Sequence, residues 1–469
     1  MADGMAIERL REYLRELKPE ARALLAAELE RALSRGDDPP GAAMILEELR
    51  KDARETGRKM PPRVGSPQRL FFAPIEPFLV DDIPERKHRG RISRASLEPI
   101  WEWICRDLMP AEGATYVEQV SLLIAANQKA SADQVAKTFQ DQVEKQLRGM
   151  LAVAKTDDRL RRRIAGQIGG HNAIESIREL AAILRVRDAL AIIGQRLPQT
   201  INNLADEHRD NVMALLESPI GCHRDVFIYA LLVVMSRLAA PWQLIRLSVF
   251  VAKTDVAARI AESPYAVAVD IVLTDVERMI TALQGSLKTG QAAEVAALIK
   301  DIHDAARALR TEMDLSGDSP WARQLAAVRS EVSKLLQAEI DTVPGQVRRL
   351  LRPRSPKETG GMMALDSSDV AEVESKLVLV AACRNYAGEL AISEATRRVN
   401  SELQNFFDSG TQVLLDRLRT APPNERSYRQ SQVDAAVRFC AKLFGADFAS
   451  TLAKAADVAA KGEQKAAKG

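Results

Sequence analysis

Apolar residues return every three or four positions along almost the whole chain, and that period is the strongest constraint on its fold. In Met1–Lys18, Ile7, Leu10, Leu14 and Leu17 recur with Glu8, Arg9, Arg11, Glu12, Arg15 and Glu16 between them, one apolar stripe on a mixed-charge helix. Pro19 suits the first turn of a second helix carrying Leu24, Leu25, Leu29 and Leu33, which Gly36 closes. After Gly36–Gly41 a third helix runs to Arg58. The same period predicts helices over 174–186, 212–217, 226–238, 242–252, 267–287, 292–313 and 321–340. No segment alternates with the period of two that a half-buried strand needs, and no residue signature recurs at a repeat length. The expected fold class is all-α, a multi-helix bundle or irregular α-solenoid.

One stretch breaks the pattern. Pro61, Pro62, Pro67, Pro74, Pro77, Pro84 and Pro99 each remove a backbone donor and disfavour helical geometry in the preceding residue, which predicts an extended Pro-rich arm over 59–95. The arm also carries Leu70, Phe71, Phe72, Ile75, Phe78, Leu79, Val80 and Ile83. Each large apolar side chain among these is worth about 1.5–3 kcal/mol when buried, so the arm should lie docked in a groove. The resulting organisation is an N-terminal helical unit (1–58), the arm (59–95), a main helical body (96–351), a linker (352–368), a smaller C-terminal helical unit (369–452) and a flexible tail (453–469). Thr115-Tyr-Val-Glu118 and Ser131-Ala-Asp-Gln134 have the form of capping boxes and predict helix starts. Val399, Leu403, Phe406, Gly410 and Val413, and likewise Trp321, Leu325, Val328, Val332 and Leu335, follow heptad spacing. Such seams pack within the chain or pair two copies of it, so a homo-oligomer is an open alternative.

Charge and cysteine usage narrow the function classes. Lys and Arg total 66 against 64 Asp and Glu, a net charge of +2, so no global field draws the chain to nucleic acid or an anionic membrane. The four cysteines form no CxxC pair, which points to free thiols and a cytoplasmic location. The first eighteen residues lack the apolar core of a signal peptide. The apolar run Val226–Met235 is shorter than the roughly 18–20 residues that span a bilayer.

Chemical motifs are sparse. There is no HExxH, GxSxG or GxxxxGK[ST] pattern, and Gly166–Gly170 follows a helical run instead of a strand, as a helix-ending turn does. His303-Asp304 resembles half of a helical metal site, but the nearest upstream histidine is His223 in another context, so a solvated helix face is the better reading. Asp37-Asp38, Asp81-Asp82 and Asp157-Asp158 fit turn and cap duty.

Basic residues cluster in three places: Arg86, Lys87, Arg89, Arg91 and Arg94 against Glu85 alone; Arg159, Arg161, Arg162 and Arg163; and Arg348, Arg349, Arg352, Arg354 and Lys357. The first lies near Phe71, Phe72, Phe78, Trp101 and Trp103. Together these observations point to a cytoplasmic, non-enzymatic helical scaffold or adaptor without cofactor or metal. It would bind a protein partner through helical grooves and through Phe71, Phe72, Phe78, Arg86, Lys87, Arg89, Arg91 and Arg94. The alternatives are a nucleic-acid or phosphate-binding protein using the basic clusters, and a helical metal-dependent hydrolase at His303-Asp304.

Overall fold

A computed structural model describes residues 66–81, 90–169, 172–315, 319–352 and 364–461, with scattered positions from Leu14 to Leu49. From residue 66 onward the described chain holds eighteen α-helices and a single pair of two-residue strands, an all-α protein. It divides into two compact units. The first takes 1–196 and 216–233, the second 197–215 and 234–469. The division therefore falls inside the stretch read from sequence as one main body, and the C-terminal helices belong to the second unit.

In the first unit, α1 (Pro67–Phe72) leads into a 3-10 turn (Ala73–Phe78) and strand β1 (Leu79–Val80), which pairs in parallel with β2 (Ile92–Ser93). Helices α2 (Leu97–Trp103), α3 (Pro110–Ala125), α4 (Lys129–Ala154), α5 (Asp158–Ile168) and α6 (Ala173–Arg196) follow. The described part of the arm is thus mostly helical, with extended backbone confined to the short β1 and β2. The Ser66 hydroxyl caps the Arg69 N–H at 3.2 Å, Pro67 stands in the first turn of α1, and Pro74 opens the 3-10 turn. Prolines placed at helix starts lose a donor that would be unpaired anyway.

The two capping-box readings are corrected in the same way. Helix α3 begins at Pro110, and the Thr115 hydroxyl donates back to the Ala111 carbonyl at 3.0 Å from inside it; Ser131 lies inside α4. Asp157, by contrast, does cap α5, accepting from the Leu160 N–H at 3.0 Å, and Gly169 ends that helix at φ +81°. Near the N-terminus, Leu14, Ala26, Leu46 and Leu49 form a small core of their own; Ile7, Leu10, Leu24 and Leu33 lie outside the described residues.

Helix α7 (Asp206–Leu216) and α8 (Phe227–Arg237) precede the second unit's main series. That series is α9 (Ile245–Ala252), α10 (Ala257–Ala261), α11 (Ala266–Thr289), α12 (Ala292–Glu312), α13 (Pro320–Ile340), α14 (Val343–Leu351), α15 (Ser367–Tyr386), α16 (Ser393–Arg419), α17 (Pro423–Phe444) and α18 (Ala446–Lys461). A continuous core from Val276 to Ala459 unites α11 to α18. Helix α18 runs through the first part of the stretch expected to be a flexible tail, because Leu452, Ala456 and Ala459 recur at helical spacing and are buried.

Both heptad seams drift off register. On α16 the buried positions include Val399, Leu403, Phe407, Leu414, Leu415 and Leu418, while Val413 is 45% exposed; on α13 burial moves from Leu335 to Leu336 and Ile340. A straight helix drifts about 20° per heptad from a strict seven-residue repeat, so these stripes face the unit's own core. No helix among the described residues is long and apolar enough to cross a membrane.

Candidate functional site

Phe71 and Phe78 are fully buried and Phe72 is 4% exposed. The Phe71 ring lies 4.9 Å from Phe72, 5.4 Å from Trp101 and 5.6 Å from Phe139, and Tyr116 stacks on Phe139 at 4.4 Å. Phe78 meets Tyr229 edge-on at 5.7 Å. The arm backbone is held as well: Gln140 donates to the Phe71 carbonyl at 2.8 Å, and the Tyr116 hydroxyl donates to the Pro67 carbonyl at 2.8 Å. Burial pushes the Tyr116 phenol above its ordinary range. Phe71, Phe72 and Phe78 therefore present no surface to a partner; they are the interior of the first unit.

The basic half of the arm divides. Arg86, Lys87 and Arg89 lie outside the described residues. Arg91 donates to the Pro77 carbonyl at 3.2 Å, and Arg94 spans Asp81 at 2.8 Å and Glu76 at 3.1 Å. The Asp81 hydrogen bond chiefly, with that to Glu76, raises the Arg94 guanidinium above its ordinary value. These two arginines clamp the 3-10 turn to the strand pair, an intramolecular use of charge.

The other basic clusters also sort into paired and unpaired members. Arg348 meets Glu402 at 3.1 Å, and Arg354 and Lys357 lie outside the described residues. On α5, Arg161 pairs with Asp158 at 2.6 Å, whereas Arg159, Arg162 and Arg163 are exposed and make no ion pair or side-chain hydrogen bond among the described residues.

His303 and Asp304 sit on α12. The His303 Nδ1 is 3.0 Å from the Asp304 carboxylate, its ring is 4.9 Å from Tyr386, and Lys300 reaches Asp304 at 2.8 Å. Burial works against the Asp304 charge, but hydrogen bonds with Lys300 and His303 outweigh it and hold the carboxyl below its usual range. Among the described residues no group of three or more His, Cys, Asp or Glu side chains converges as a metal would require.

The cysteines make a direct test of packing. Cys383 and Cys440 are buried, and burial pushes both thiols up to about 12; Cys105 is half-buried and pushed up to about 11, while Cys222 is exposed. Only thiolate reacts at mild pH. The native protein at pH 8 is expected to yield one rapidly labelled thiol, Cys222, and all four in denaturant; fast native labelling of Cys383 or Cys440 would contradict this core.

The second unit contributes a cleft of about 500 Å³, half open to solvent. Gly290 turns the chain between α11 and α12 at φ +72°, which places the last turn of α11 beside the first turn of α12; α13 and α15 close the other sides. Leu287, Val295 and Leu379 supply its apolar surface, and Lys288, Glu339, Glu372 and Lys376 its charges. Lys376 meets Glu339 at 3.0 Å. Lys288 and Glu372 are exposed and make no ion pair among the described residues. No motif marked this cleft, since its residues come from three separate stretches of the chain, 286–295, 339 and 371–379.

Comparison with protein-family models, curated proteins and solved structures finds no match to this chain.

Proposed function

We propose that the chain is a helical adaptor that holds a protein partner in the cytoplasm, a location that its free cysteines support. The observation that carries the reading is the cleft between α11, α12, α13 and α15, with apolar walls and charged groups of both signs at its lip. A volume of this order takes a few large side chains of a peptide. Small-molecule sites enclose most of their ligand, whereas a half-open groove between helices suits a segment that remains attached to a larger body. An apolar anchor would fill the space over Leu287, Val295 and Leu379, while Lys288 and Glu372 would set the register of flanking charges.

The test fills the cleft without touching the core. Ala371 is exposed and lines the cleft, so Ala371→Trp occupies it with an indole while leaving the buried stripe of α15 intact. Native complexes are purified from the protein's own cells with each form of the chain. The expected result is a defined protein partner whose retention by Ala371→Trp falls about tenfold, equivalent to about 1.4 kcal/mol of binding free energy. Undiminished retention would remove the cleft as the docking site, and recovery of nucleic acid or a small metabolite in place of a protein would overturn the adaptor reading.

A further inference from the structure

We infer that the arginine face of α5 docks an acidic segment of the partner protein, an inference that rests on the adaptor reading and assigns it a second contact. At about 100° per residue, Arg159, Arg162 and Arg163 fall within roughly one 100° arc of α5, and the buried Ile164 and Ile168 lie on the other side of the helix. The acidic residues at the start of the helix are already engaged. Asp157 accepts from the Leu160 N–H as the N-cap, and Asp158 takes Arg161. Elsewhere in the same unit, Arg148, Arg185 and Arg187 each have a carboxylate, on Glu144, Asp225 and Asp141. Arg159 stands three and four positions from Arg162 and Arg163, the spacing at which like charges oppose helix formation, and none of the three has an ion pair among the described residues to offset that repulsion.

Carboxylates from outside relieve it. A guanidinium fork donates two parallel hydrogen bonds to a carboxylate, and an acidic segment with Asp or Glu at helical spacing matches three forks along one face. Nucleic acid fits less well. Three arginines neutralise about three phosphates, so log K falls against log salt with a slope of only about 2–3, a weak hold beside proteins that make roughly 6–10 such contacts. Of the aromatic rings named near the first basic cluster, Phe71, Phe72, Phe78 and Trp103 are interior, and the half-buried Trp101 is engaged with Phe71, Phe72, Tyr116 and Phe139, which leaves bases little to stack on.

The test places a photo-crosslinking residue at Gly166, which lies on the same arc, is exposed, and has nothing within 4 Å of an added Cβ. The full chain is crosslinked in its own cells and the attached peptide sequenced. In parallel, the purified chain carrying Arg159→Glu, Arg162→Glu and Arg163→Glu is titrated with a fluorescent helical peptide bearing glutamate at every fourth position. A Lys442→Glu chain serves as the control for an exposed charge reversal.

The expected result is a crosslinked segment rich in Asp and Glu, with the triple reversal weakening peptide binding about tenfold or more and Lys442→Glu leaving it unchanged. A crosslinked segment without acidic excess, an unchanged affinity, or tighter binding of a single-stranded oligonucleotide than of the peptide would overturn the proposal. A partner that co-purifies with the chain but never crosslinks at position 166 would overturn the α5 contact alone. Absence of any co-purified protein would overturn the adaptor reading with it.

Discussion

Phe71→Ala is expected to lower the stability of the first unit by about 3–5 kcal/mol, the range for removing a fully buried phenylalanine ring. The ring meets Phe72, Trp101 and Phe139, so its loss opens a void bounded by α1, α2 and α4, not a dent in the surface. The void also loosens α1, whose backbone depends on the Gln140 side chain at the Phe71 carbonyl. Hydrogen exchange over Pro67–Val80 and Lys129–Ala154 reads the effect directly. A loss of this size accelerates exchange from the globally protected amides by at least about a hundredfold at 1.4 kcal/mol per tenfold. A docking residue would behave differently, leaving exchange unchanged and weakening only the complex, so acceleration below about tenfold would refute the interior role. For the same reason, deletion of the whole arm removes part of the core and cannot serve as a binding mutant.

Arg429→Met is expected to cost about 3–5 kcal/mol in the second unit, and the paired change Glu425→Met with Arg429→Met much less. Arg429 and Glu425 face each other at 3.0 Å on α17 with side chains only 7% and 11% exposed. Arg429 also donates to Gln432 at 3.1 Å, and Gln432 donates to the Arg352 carbonyl at the end of α14. Removing the guanidinium leaves a carboxylate in the interior without its counter-charge and leaves Gln432 short of a donor. Removing both charges replaces the pair with apolar side chains at similar volume, which buried ion pairs commonly tolerate. Urea denaturation of the two variants and the parent provides the comparison. Equal losses in the single and double variants would show that packing, not charge, governs this site.

Much of the fold is legible because its signals are local. The Ser319-Pro320 start is seen in the Ser319 hydroxyl accepting from the Ala322 N–H, and Asp157 caps α5 as its turn-like position suggested. The helical stripes of α11, α12 and α13 follow directly from apolar spacing. Where local patterns misled, tertiary context changed their meaning. A Thr-x-x-Glu string caps a helix only if no helix already runs through it, and Pro110 had started α3 five residues earlier. Proline density reads as extended chain, yet Pro67 and Pro74 stand at helix starts, and Pro77 falls near the end of the short 3-10 turn.

The candidate site was legible only in part. The arginine cluster on α5 is visible in sequence as a run, but Arg161 and Arg162 differ by a single step along the helix, and only the position of Asp158 separates the paired side chain from the free one. The cleft gave no sequence signal, because Leu287, Val295, Glu339 and Lys376 converge only once four helices pack.

Backbone hydrogen bonding and the 3.6-residue period act between neighbours in the chain, and so the sequence by itself determined that this protein is helical, where most helices run and which faces are apolar. Burial, ion pairing and cavities depend on residues brought together from far along the chain. Only the tertiary structure could turn the aromatic arm inward, satisfy some arginines while leaving others free, and open a cleft where four helices meet.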